Sequence, residues 1–379
     1  MGNGLSMHGE KIFNNSDKKL KEAIREGSIM AKDMRKRLQM VSLYSAVHFL
    51  VDFSCTFFMF RSIAGAQAGY TCLLLYNFFA FAMQMPLGIV ADKLDRNYVF
   101  AALGCILAGA AYGLVQIPVA AVAVIGTGNA LFHIGGGIDV LNVSEEKLGA
   151  LGVFVSPGAF GVYLGRMLGK GTGFFTGIIP LSLAAAAALV FLQHRAHKGI
   201  RPPNAVFSLQ GIGTGRVLAA GFCFFLVVCL RSYIGLALDF PWKNVGLWGT
   251  ALVCAVVFGK ATGGFAADRF GLVKTATASL GLAAPLLLAA GIPVAGTAAV
   301  LLINATMPVT LWAMAKILPG AKGFAFGLLT FGLFLGFLPV YLGMGVSQGA
   351  YWRFALLAAA SLGILLTGLS RSGHSGAKL

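Results

Sequence analysis

Charge is scarce in this sequence: only 11% of its 379 residues are charged, and just 13 are acidic. A soluble domain carries about 25% charged residues. This composition cannot cover a water-facing surface, which excludes a soluble enzyme, a DNA-binding module and a disordered scaffold. No CxxC occurs either. The six cysteines (Cys55, Cys72, Cys105, Cys223, Cys229, Cys254) lie scattered in apolar stretches, giving neither a disulfide framework nor a zinc cluster and suiting buried thiols that act as small hydrophobes. A secretory signal is missing too, because a polar segment of forty residues, nine basic and five acidic, comes first. Gly169-Lys170-Gly171-Thr172 has Gly where a phosphate loop needs Ser or Thr. Gly345-Val346-Ser347-Gln348-Gly349 has the spacing of a nucleophile elbow but sits between apolar runs, not on a strand-to-helix turn. With no HExxH, EF-hand or Rossmann context, the expectation is no cofactor, no metal and no enzyme activity.

What the chain does have is apolar length. Hydrophobic residues make up 58% and mean hydropathy is +0.81. From residue 41 onward it divides into twelve apolar runs: 41–64, 68–91, 97–117, 118–142, 147–169, 173–193, 217–238, 244–266, 272–292, 293–317, 322–345 and 351–370. A helix needs about 20 apolar residues to cross a bilayer, and continuous runs without period-two alternation predict helices, not barrel strands. The expected fold is therefore all-α integral membrane, with twelve transmembrane helices in two pseudo-symmetric six-helix bundles. A tail, 1–40, would precede a bundle at 41–193, a central loop at 194–216, a second bundle at 217–371 and a short tail at 372–379. In the first tail, Asp17 to Leu38 has helical composition, and Leu20, Ile24, Met34 and Leu38 form a narrow apolar stripe. It reads either as a basic helix resting on the inner leaflet or as a solvated tail.

The net charge of +16 clusters at the ends of the apolar runs, which points to membrane topology and not to nucleic acid. With the N-terminus inside, the inner segments beyond the tail hold 13 Lys and Arg against 5 in the outer loops. Both termini are then cytoplasmic, in the plasma (cytoplasmic) membrane. The expected partners are the lipid bilayer, a small-molecule substrate and protons, with the chain a monomer.

The halves repeat. Gly88, Asp92 and Lys93 return as Gly264, Asp268 and Arg269, all 176 residues later, and parallel repeats of this kind mark transporters. The first copy reads Gly88-Ile-Val-Ala-Asp92-Lys93-Leu-Asp95-Arg96 and the second Gly264-Phe-Ala-Ala-Asp268-Arg269-Phe-Gly271. Over residues 41–371 the chain resembles the major facilitator superfamily, whose loop signature is Gly-xxx-Asp-Arg/Lys-x-Gly-Arg; the first copy departs with Asp95 where that family has Gly. The resemblance implies alternating access, with Gly88, Asp92, Lys93, Arg96, Gly264, Asp268 and Arg269 as a conformational latch. Gly permits close helix approach, Asp suits a helix N-terminus, and the basic residues anchor at headgroups. Within the superfamily, His48-Phe-x-x-Asp52 in the first span and Ala130-Leu-Phe-His133 in the fourth resemble the fosmidomycin-resistance group of proton-driven drug exporters. That group often has Pro after His133, where this chain continues Ile134-Gly135-Gly136-Gly137.

An ionised group at mid-bilayer costs about 2.5–3.5 kcal/mol on insertion scales, so it faces a cavity or a partner. The resemblance implies that spans one, four, seven and ten line the cavity. They carry His48 and Asp52, Asn129 and His133, Arg231, and Asn304 with Thr306 and Thr310. His48 and Asp52 share a helix face and are expected to handle protons, or else to form a structural pair. Asn129, His133, Arg231 and Asn304 are the expected substrate contacts, and Arg231 could instead pair with Asp52 or snorkel. Lys260 and Lys316 are expected to snorkel, and Asp139 to form a helix-end salt bridge. Gly152 to Gly161, with Ser156-Pro157, partly resembles an antiporter signature and reads either as a loosened helix or as a packing seam. The expected function is secondary active transport, proton-coupled and outward. The alternatives are uptake of a small anionic solute, or a facilitator-like membrane sensor.

Overall fold

The computed structural model describes residues 4–144, 147–196, 215–344 and 349–373, with side chains from residue 25 onward apart from residue 29. Most of the expected central loop (197–214), positions 345–348 of the Gly-x-Ser-x-Gly motif and the tail from 374 lie outside the described residues. Among the described residues there is no strand. The helices are α1 (Gly4–Phe58), α2 (Gly69–Leu94), α3 (Asn97–Leu114), α4 (Pro118–Ser144), α5 (Leu148–Lys170), α6 (Ile178–Ala196), α7 (Gly215–Ala237), α8 (Trp248–Phe270), α9 (Leu272–Leu288), α10 (Pro293–Ile317), α11 (Lys322–Tyr341) and α12 (Tyr351–Arg371). Eleven are long and apolar enough to cross a bilayer, and α9 is the shorter one at 17 residues.

Apart from the start of α1, every helix end falls within six residues of the corresponding apolar run. The start of α1 differs because no proline precedes Pro86. With nothing to interrupt it, the polar tail continues into the first span as one helix. Met34 and Leu38 from its apolar stripe stay exposed, at 59% and 63%.

Breaks occur where backbone bonding is lost. α5 is interrupted at Ser156, just before Pro157, and α10 at Thr306, two residues before Pro308. Proline removes a donor and clashes with the preceding turn. Wider π turns close α1 at Met59–Ile63 and interrupt α2 at Phe78–Ala82.

Lipid offers no hydrophobic drive between helices, so small residues set the close contacts. Along α5, Gly161, Gly165 and Gly169 face α1, whose backbone occupies the space their side chains would fill. The glycine-rich part of α5 is thus a packing seam. α3 lies on α4, α7 on α11 and α12, α8 on α10, and α9 on α12. The first six helices meet the last six chiefly through α2 against α11 and α5 against α8, with α4 also meeting α11 and α5 also meeting α10.

Candidate functional site

Four polar side chains from α1 and α4 converge. On α1, His48 and Asp52 are one turn apart, with Nε2 3.2 Å from Oδ2. From α4, His133 brings its Nε2 to 3.0 Å from the His48 Nε2 and 3.6 Å from Asp52 Oδ1. Asn129 donates from Nδ2 to Asp52 Oδ1 at 3.1 Å. His48, His133 and Asn129 are buried, and Asp52 keeps partial access. Asn129 and His133, expected as substrate contacts, therefore stand in one cluster with the two residues expected to handle protons.

The hydrogen positions on both rings follow from their partners. His48 Nδ1 lies 2.7 Å from the Phe154 carbonyl, and His133 Nδ1 lies 2.8 Å from the Asn129 carbonyl. A carbonyl only accepts, so each Nδ1 carries its hydrogen and donates. In the neutral rings both Nε2 atoms are then bare lone pairs, facing each other and the Asp52 carboxylate. Three electron-rich atoms in contact repel one another in a medium of low dielectric. One cation among them relieves that repulsion.

Pro157 supplies the carbonyl that orients His48. It has no N–H to offer Val153, and the carbonyls before the break turn to side chains. Val153 accepts from Ser45 Oγ at 3.4 Å, Phe154 from His48, and Val155 from Lys260 Nζ at 3.2 Å. Lys260 thus turns inward to α5; it does not snorkel as expected, because a freed carbonyl is its nearest acceptor. Gly158 follows the break, and a side-chain carbon there would collide with both Asp52 Oδ2 and His48 Nε2.

The other candidates lie apart. Arg231 on α7 is only 9% exposed, which excludes snorkelling, and donates to Thr310 Oγ1 on α10 at 3.3 Å. Among the described residues it has no carboxylate within ion-pair distance, so the considered pairing with Asp52 is not formed. Asn304 donates to Val300 O, one turn back in α10, at 2.9 Å. Asp139 is fully buried and accepts from Tyr44 Oη at 2.5 Å and Asn97 Nδ2 at 3.1 Å, tying α1, α3 and α4 together. Tyr44 was not singled out in the sequence, although 44, 48 and 52 repeat every four residues along α1. Lys316 stacks over the Trp312 ring at 5.1 Å.

The paired loop motifs meet the opposite half at the end where α1 enters. Asp92 accepts from Gly323 N at 2.7 Å and Phe324 N at 2.8 Å, at the start of α11. Asp268 accepts from Leu148 N at 2.6 Å and Gly149 N at 2.8 Å, at the start of α5. Each carboxylate caps a helix N-terminus, where the orphan N–H groups and the dipole favour negative charge. At Gly88 and Gly264 the facing backbones of Gly323 and Leu148 leave no room for a side chain. Lys93, Arg96 and Arg269 stay exposed at the rim. Asp95 (φ 48°, ψ 41°) and Gly271 (φ 86°, ψ 162°) both take positive φ after α2 and α8, Asp95 in the left-handed helical region and Gly271 with an extended ψ. At the far end, Tyr70 and Tyr341 stack at 4.1 Å and each donates its hydroxyl to the other's carbonyl, while Tyr163 and Thr250 hydrogen-bond at 3.1 Å.

No family model matches the chain, and neither does any curated protein. Solved structures do. A single-residue variant of the E. coli fucose:proton symporter FucP aligns with a TM-score of 0.62 and 17% identity, covering 89% of this chain and 99% of that one. FucP in the outward conformation, a major facilitator superfamily transporter, gives 0.62 and 16% over 89% and 99%. A bacterial homologue of the iron transporter ferroportin, in its outward-facing state, gives 0.59 and 13% over 89% and 100%. At these identities the likeness is one of fold. The chain has the all-helical fold of major facilitator transporters and is an integral membrane protein.

Proposed function

We propose that the chain is a secondary transporter that exports small molecules in exchange for protons. Two six-helix halves, 41–193 and 217–371, rock about the buried cluster, with the latch end and both termini cytoplasmic. The observation that carries this reading is the convergence of His48 Nε2, His133 Nε2 and the Asp52 carboxylate on one point. A single proton on either Nε2 is shared with the second ring and balances the carboxylate, leaving the cluster neutral. Without it the cluster holds one negative charge. Occluding an uncompensated charge costs several kcal/mol in an apolar site, so loading and release of the proton biases which state is populated.

Asp92 and Asp268 hold the cytoplasmic end shut, and their release opens it. Substrate contacts come from the same cavity, with Asn304 and Arg231 on the second half. The test is flux in proteoliposomes under an imposed pH gradient. Asp52→Asn should abolish proton-driven flux and leave folding intact; undiminished pH-driven flux in that variant would remove Asp52 from the mechanism.

A second reading is supported by Arg231 and Lys260, buried or partly buried cations with no carboxylate at ion-pair distance among the described residues. They suit an anionic solute, taken up and not expelled. The direction of accumulation under the same gradient separates the two. Uptake lost in Arg231→Gln would favour the second.

A further inference from the structure

We propose that His48, Asp52 and His133 form a binding site for a divalent first-row transition-metal cation. With one donor atom taken from each residue, the three lie within 4.8 Å of one another: His48 Nε2 is 3.0 Å from His133 Nε2 and 3.2 Å from Asp52 Oδ2, and His133 Nε2 is 3.6 Å from the other carboxylate oxygen, Oδ1. Metal–nitrogen and metal–oxygen bonds of about 2.0–2.2 Å at angles between 90° and tetrahedral separate adjacent ligands by roughly 2.9–3.5 Å. The two contacts of His48 already lie in that range, and the contact between His133 and Asp52 is the one that must shorten.

The surroundings are those of a ligand set. Both rings give their Nδ1 hydrogens to backbone carbonyls, Phe154 and Asn129, which fixes the tautomer and leaves the two Nε2 lone pairs free to face the common point. Asn129 holds the second oxygen of Asp52, and its own buried Oδ1 has no partner. Gly158 brings backbone directly against the cluster, where a side-chain carbon would collide with Asp52 Oδ2 and His48 Nε2. Two imidazoles and a carboxylate favour zinc, iron, cobalt, nickel or manganese over magnesium and calcium, which prefer all-oxygen sites.

With both rings neutral, a divalent cation leaves the site at +1, and Lys260 on α8, bonded to the Val155 carbonyl next to the break, adds further positive charge on that side. The site goes beyond the transport reading and requires no flux: a proton and a metal are alternative occupants of the same three lone pairs.

The experiment uses the full chain in lipid nanodiscs, titrated with Co²⁺ alone and followed by visible absorption, with Zn²⁺ as competitor. The expected result is one saturable Co²⁺ per chain, displaced by Zn²⁺, with affinity reduced at least tenfold in His133→Gln and in Asp52→Asn and unchanged in the control His194→Gln. Gly158→Ala keeps all three donors yet places a methyl on the contact between His48 and Asp52, and it should also lose Co²⁺. It guards against a His133 variant that fails to fold. No saturable binding by the native chain, or equal binding by the native chain, His133→Gln and Gly158→Ala, overturns the proposal. Proton-driven flux that persists in chelator, alongside absent Co²⁺ binding, removes the metal and leaves the transporter. Binding without flux does the reverse.

Discussion

At the scale of single residues, the proposed function turns on one glycine and one lone-pair geometry. Replacing a helical Gly by Ala ordinarily stabilises a protein by about 0.5–1 kcal/mol. At Gly158 the added methyl would lie on the His48–Asp52 contact. We predict that Gly158→Ala lowers pH-driven flux at least tenfold in reconstituted vesicles and brings no gain in melting temperature. Asp95 gives the opposite case, since it sits in the left-handed helical region, which a glycine adopts without strain. Left-handed backbone costs a residue with a side chain about 1–2 kcal/mol, less for Asp, so Asp95→Gly should raise stability by about 1 kcal/mol, read as a higher unfolding temperature in detergent. The identities of His48, Asp52, Asn129 and His133 were legible in the sequence as costly polar groups inside apolar runs. Their assembly was not. The carbonyl that orients His48 belongs to Phe154, 106 residues away on another helix, and periodicity within one helix carries no information about such a partner. For the same reason Lys260 read as a snorkelling residue, when its acceptor on a neighbouring helix draws it inward.

At the scale of elements, the apolar runs located the helices because membrane-spanning length is a one-dimensional property. What they missed was continuity: the polar tail joins α1 because no breaker separates them. Pro157 was legible as a helix breaker, but the use made of the freed carbonyls was not. The repeated loop motif predicted a latch, and its carboxylates and glycines make the cross-half contacts while its basic residues stay at the rim. A carboxylate at a helix N-terminus contributes about 0.3–1 kcal/mol, and up to about 2 when partly buried. Asp92→Asn and Asp268→Asn keep an acceptor oxygen but remove the charge, so each should shift the balance toward an open latch end about fivefold, the ratio that 1 kcal/mol sets. The check is the labelling rate of a cysteine placed at Leu148, which is fully buried in the native chain. The two variants should act alike, since the two contacts are related by the repeat. An effect confined to Asp268 would contradict that equivalence.

At the scale of the whole molecule, the two ends are held by unequal bonds, and their magnitudes predict which one yields. The latch end has four backbone N–H groups on two carboxylates, and hydrogen bonds to charged groups contribute about 1.5–3 kcal/mol each. The far end has one aromatic stack, worth about 0.5–1.5 kcal/mol, and three neutral hydrogen bonds of about 0.5–1.5 kcal/mol each. Tyr70 is 61% exposed, so water competes for its hydroxyl and the lower figures apply there. The far end should therefore open first, with the latch end remaining shut. Spin labels on α2 and α11 near Tyr70 and Tyr341 should show a broad distance distribution in the resting protein, while labels flanking Asp92 and Gly323 show a narrow one. Tyr70→Ala should lengthen the far-end distance and leave the latch-end distance unchanged, because the two contacts lie at opposite ends of the same helix pair. Equal broadening at both ends would mean that the halves do not pivot about a fixed latch, and the cluster between them would then lack the one-sided access that exchange of a proton for a solute requires.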